Sequence, residues 1–83
     1  MAKVKVKLFG VYRMDTHTPE LELEAEKLGG VFDALHETLG GRTESGLRFK
    51  DAVIYVNGES CRKKSTALSD GDEIWLLSPA SGG

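Results

Sequence analysis

Apolar and charged residues alternate from the start of the chain. Val4, Val6 and Leu8 interleave with Lys3, Lys5 and Lys7, the two-residue period of a strand with one dry face and one wet face. Leu21, Leu23 and Ala25 alternate in the same way with Glu20, Glu22, Glu24 and Glu26, introduced by Pro19, which suits a strand start or edge. If the two strands pair antiparallel, the lysine row lies beside the glutamate row, and each cross-strand pair adds roughly 0.2 to 1 kcal/mol. Both rows then read as a solvated hairpin face. The polar connection 10–18 is longer than a tight hairpin needs, so part of it is expected to form a short helical turn.

After Gly29-Gly30, which reads as a break, Val31, Phe32, Leu35 and Leu39 recur at helical spacing until Gly40-Gly41. This predicts one amphipathic helix over 31–39, its stripe sized to cover one face of a small sheet. Residues 42–51 read as a loop into which Leu47 and Phe49 tuck. The β-branched and aromatic run 52–56 predicts a third strand. Asn57-Gly58, the dipeptide suited to a two-residue turn at positive φ, hands it to a fourth at Glu59. Leu68 anchors the next crossing, Asp70-Gly71-Asp72 makes a turn, and 73–77 forms the last strand. The order predicts an α+β domain over 1–77, with one main helix on a mixed sheet of four to five strands. A β-grasp arrangement fits it best. Residues 78–83 have small side chains and no apolar anchor, and are expected to form a flexible tail.

Composition narrows the function. Eighty-three residues support a single core. A net charge of -2 offers no global field for nucleic acid or an anionic membrane, and Arg62-Lys63-Lys64 reads as a solvated turn. The single cysteine, Cys61, excludes an internal disulfide and agrees with a reducing compartment. Its neighbouring cations would favour the thiolate, but no histidine lies near it in sequence. His17 and His36 lack a second ligand at metal spacing, and no Ser/His/Asp, Cys/His or carboxylate constellation emerges. The N-terminal alternation is neither a signal peptide nor a membrane span, so the expectation is a cytoplasmic protein.

The last third of the chain carries a family signature. Val56-Asn57-Gly58, the run Ala67-Leu68-Ser69-Asp70-Gly71-Asp72-Glu73-Ile74-Trp75-Leu76-Leu77 and the tail Ser78-Pro79-Ala80-Ser81-Gly82-Gly83 resemble the MoaD/ThiS-type sulfur carriers. These are small, ubiquitin-like β-grasp proteins, and the similarity is greatest to the small subunit of molybdopterin synthase. Two terminal glycines arise by chance about once in 200 chains, so the weight lies in the conjunction. Ser78 stands where many molybdopterin-type members have a second proline, and Ala80 where a larger aliphatic is frequent. The length of 42–51 favours the molybdopterin type over the shorter thiamine-pathway carriers.

The resemblance implies a carrier, not an enzyme. Gly83 would carry the acyl group and thiocarboxylate, with Gly82 beside it; glycine backbone enters narrow channels closed to other residues. An ATP-dependent MoeB/ThiF-type enzyme would adenylate Gly83. A sulfur donor would then displace AMP, and an acceptor such as the molybdopterin synthase large subunit would take the sulfur. ATP is the partner's substrate. The chain itself is expected to bind no cofactor or metal, and to be monomeric when free. Trp75 and Leu77, opposite Ile74 and Leu76 on the last strand, and Pro79 in the tail are the candidate partner-binding residues. Two other readings stay open: a modifier conjugated through Gly83 to target lysines, and a non-catalytic β-grasp interaction module.

Overall fold

A computed structural model describes residues 2–39, 49 and 52–77. Seven elements follow in the order β1 (Ala2–Phe9), α1 (Val11–Thr16), β2 (Glu20–Ala25), α2 (Leu28–Leu39), β3 (Val53–Val56), β4 (Glu59–Ser60) and β5 (Glu73–Leu77). The strands form one sheet in the order β2-β1-β5-β3-β4. Its central pair, β1 and β5, is parallel, and its other pairs are antiparallel. This is the mixed sheet and helix of the β-grasp. Among the described residues no helix is long and apolar enough to cross a membrane.

The period-2 pattern decides which way each strand faces. Ala2, Val4, Val6 and Leu8 of β1, Leu23 and Ala25 of β2, Ile54 of β3, and Ile74 and Leu76 of β5 are all buried. They form one cluster with Leu28, Val31, Phe32, Leu35 and Leu39 of α2. On the other face Lys3, Lys5 and Lys7 stand opposite Glu24, Glu22 and Glu20, as the charge rows predict. The Lys5 Nζ–Glu20 Oε2 distance is 3.8 Å between side chains about half exposed. Such a pair contributes only tenths of a kcal/mol, so the register rests on the buried alternation more than on the charge rows.

The connection from β1 to β2 contains α1, as the sequence allowed. Tyr12 of this helix is buried in the core, and His17 closes it in the left-handed conformation. Asn57 (φ 53°) and Gly58 (φ 87°) make the predicted β3–β4 turn, and Gly71 (φ 88°) the turn before β5.

Two element boundaries differ from the sequence pattern. Gly29-Gly30 does not break the pattern: α2 begins at Leu28 and includes both glycines. Glycine lowers helix propensity by about 1 kcal/mol relative to alanine, but two tertiary effects offset that here. Leu28 is fully buried and extends the apolar stripe. The loop after β4 also caps the helix: Leu28 N–H donates to the Thr66 carbonyl and Gly29 N–H to that of Lys64, both at 3.0 Å. These are helix-end donors that would otherwise need a side-chain cap. A Cβ on Gly29 would sit 3.3 Å from Lys64 Cβ, so the glycine admits the loop that caps it. The third strand is also one residue shorter than expected, with Ala52 buried ahead of it. Phe49 tucks in edge-on against Phe32 at 5.5 Å, whereas Leu47 and Gly40-Gly41 lie outside the described residues.

Candidate functional site

β5 runs up the middle of the sheet and ends at Leu77, from which the chain continues into 78–83. The tail itself, with the predicted Pro79, Gly82 and Gly83, lies outside the described residues. The structure therefore describes the surface at its root.

Around that root the outer face changes character. Strand register puts Phe9, Leu77 and Val53 in one row across β1, β5 and β3, with Lys7, Trp75 and Tyr55 in the next. Phe9, Val53, Tyr55, Trp75 and Leu77 are all partly exposed. Trp75 sits between the two other aromatics, 6.1 Å from Phe9 edge-on and 6.2 Å from Tyr55 at a tilt. Its indole Nε1–H donates to Glu73 Oε1 at 2.6 Å, and Lys7 Nζ lies 3.7 Å from the same oxygen. Lys5, paired with Glu73 in register, begins the charged half of the face.

Trp75 and Leu77 thus lie where the alternation of β5 put them, opposite the buried Ile74 and Leu76. Sequence reading left out Phe9, Val53 and Tyr55. The signal was available for direction: Phe9 ends the lysine row, and Val53 and Tyr55 flank the core residue Ile54. Their adjacency was not available, because it depends on the parallel register of β1 with β5 and the antiparallel register of β3 with β5.

The signature residues Asn57 and Ser69-Asp70-Gly71-Asp72-Glu73 prove to be a polar clamp. The Asp72 carboxylate accepts Ser69 N–H at 2.8 Å and Asn57 Nδ2–H at 3.0 Å. Asn57 Oδ1 accepts Glu73 N–H at 2.9 Å, and Asp70 Oδ1 accepts Lys3 N–H at 2.8 Å. These bonds tie the β3–β4 turn and the start of β1 to the start of β5, at the opposite end of β5 from the tail.

Cys61 is partly buried, and its Sγ lies 3.2 Å from Thr66 Oγ1. Its pKa is lowered, first by that hydroxyl, then by the backbone at Lys63, with the Lys63 charge a smaller cause and desolvation opposing. Hydrogen bonding thus favours the thiolate more than charge does, and the Lys63 charge acts in the direction expected of the cation run. Arg62, Lys63 and Lys64 are exposed; Lys64 Nζ lies 5.3 Å from the centre of the Phe49 ring, and Arg62 donates to the Ala52 carbonyl at 3.3 Å. His17 and His36 are exposed. Among the described residues no three His, Cys, Asp or Glu side chains gather as a metal site would require.

The ThiS family model matches residues 6–83. The solution structure of small archaeal modifier protein 1 (SAMP1) from Methanosarcina acetivorans superposes with a TM-score of 0.81 at 36% identity, covering 100% of this chain and 98% of that one. Molybdopterin-converting factor from Helicobacter pylori, solved as a complex of its subunits 1 and 2, gives 0.73 at 27% identity over 98% and 99%. Mycobacterium tuberculosis CysO gives 0.74 at 26% identity over 93% and 99%. Comparison with curated protein sequences gave no match.

Proposed function

Because this chain belongs to the ThiS family, whose small carrier proteins act with partner enzymes, we propose that it is a sulfur carrier working through the carboxylate of Gly83. The observation that carries this reading is the extent of the family match, which runs through β5 and the tail to the terminal diglycine. A carboxylate is a poor electrophile until one oxygen belongs to a good leaving group. A MoeB/ThiF-type partner would supply that by joining Gly83 to AMP from ATP with release of pyrophosphate. A sulfide-equivalent donor would then expel AMP and leave a thiocarboxylate. The acceptor would be an enzyme of cofactor biosynthesis, and we take molybdopterin synthase large subunit as the first candidate, on the likeness to the subunit complex from H. pylori. With ATP consumed by the partner, the reaction belongs in the cytoplasm.

The outer face supports this reading by its position. The six residues beyond Leu77 reach at most about 20 Å when extended. An enzyme that engages Gly83 therefore comes within that distance of Leu77, which lies beside Phe9 and in the next row to Trp75. Partly exposed aromatics beside such a point are suited to anchoring it, since few residues carry most of an interface's binding energy. In this reading Trp75, Leu77 and Pro79 contact the partner, and Gly82 and Gly83 enter its active site.

The test is intact-mass measurement after incubation with ATP, the adenylating enzyme and a sulfur donor. Exchange of one oxygen for sulfur at Gly83 is expected, and an unchanged mass with active enzyme would refute the proposal. A second reading, conjugation to lysines of other proteins, is favoured by the 36% identity to SAMP1. It shares the adenylation step and predicts Gly-Gly remnants on target lysines after proteolysis.

A further inference from the structure

The indole of Trp75 has one polar group, and the chain satisfies it internally. Nε1–H donates to Glu73 Oε1 at 2.6 Å, from the residue two positions earlier on the same face of β5. Lys7, the register partner of Trp75, also directs its ammonium to that oxygen, at 3.7 Å. Phe9 and Tyr55 flank the ring. Once an interface closes over a tryptophan, its N–H needs an acceptor, and leaving it without one costs the desolvation of that donor.

We propose that Glu73 is a positioning residue for partner docking: it holds the Trp75 indole and satisfies its N–H, so that the adenylating enzyme meets a purely apolar, preoriented anchor. This rests on the sulfur-carrier reading and on Trp75 facing that enzyme. The partner surface that fits is apolar opposite the ring and needs no acceptor for the indole. Lys7 lies beside the carboxylate at 3.7 Å, and the polar edge of the patch stays within this chain.

The experiment is a set of dissociation constants for the purified adenylating enzyme, measured by titration calorimetry with wild type, Glu73→Ala, Glu73→Gln, Trp75→Phe, Trp75→Ser and the double variant Glu73→Ala/Trp75→Phe. Urea unfolding of each variant confirms its fold. Glu73→Ala should weaken binding about tenfold, the consequence of burying an unsatisfied donor. Glu73→Gln retains an acceptor oxygen and should stay within about twofold of wild type, since the ion pair it loses is partly exposed. In the Trp75→Phe background there is no N–H to satisfy, and Glu73→Ala should change affinity by less than about twofold. An equal loss from Glu73→Ala in both backgrounds, or no loss with Trp75 present, overturns the role of Glu73. If Trp75→Ser itself leaves affinity unchanged, the docking face is wrong and this inference falls with it. Failure of Gly83 to gain sulfur would instead reject the carrier reading.

Discussion

Replacing Asp72 tests whether the signature before β5 is architecture or chemistry. Its carboxylate accepts Ser69 N–H on one oxygen and Asn57 Nδ2–H on the other, at 2.8 and 3.0 Å. Asn57 in turn holds Glu73 N–H at 2.9 Å. Hydrogen bonds to a charged group are worth about 1.5 to 3 kcal/mol when well protected, and these bonds are exposed, so about 1 kcal/mol each is the appropriate scale. Asp72→Ala should therefore destabilise the domain by about 2 kcal/mol, lowering Tm by about 8 to 16 °C in a domain of this size. Asp72→Asn keeps one acceptor but turns an N–H toward a donor, and should recover less than half of the loss. Asn57→Gly removes the side-chain links while tolerating positive φ. In that background Asp72→Ala loses only the Ser69 bond, leaving a cost of about 1 kcal/mol and a coupling of similar size. Urea unfolding followed by the fluorescence of the single tryptophan measures each value, with m expected to be unchanged. A loss below about 0.5 kcal/mol, or strict additivity with Asn57→Gly, would refute the clamp. So would a folded Asp72→Ala protein that no longer acquires sulfur at Gly83, because the motif would then take part in recognition or chemistry.

Three further outcomes are expected. Gly30→Ala should stabilise the protein by about 0.5 to 1 kcal/mol in urea unfolding, because its Cβ would meet Ala25 Cβ at an ordinary 3.6 Å; Gly29→Ala should gain less, since its Cβ would lie 3.3 Å from Lys64 Cβ beside the capping carbonyl. Thr66→Val removes the hydroxyl that contributes most to lowering the Cys61 pKa, so the pH profile of Cys61 alkylation should move to higher pH and the rate near neutrality should fall. An alanine added after Gly83, or a bulky residue in place of Gly82, should abolish adenylation without changing the urea midpoint, as read by pyrophosphate release.

The local pattern carried most of the fold. Lysine and glutamate rows gave β1 and β2 their faces, and Asn57-Gly58 predicted its turn by the φ values those residues tolerate. Ile74 and Leu76 pointed inward against Trp75 and Leu77 by strand period alone. Tertiary structure decided what local pattern could not. Gly29 and Gly30 are poor helix formers in isolation, and only the loop carbonyls of Lys64 and Thr66 and the burial of Leu28 let α2 begin there. The role of Asp72 required Asn57, fifteen residues away, to arrive beside it. Phe9, Tyr55 and Trp75 became one surface because β1 and β3 flank β5 in a particular register. Register between strands distant in sequence is selected by the packing of the whole core, and no local periodicity records it.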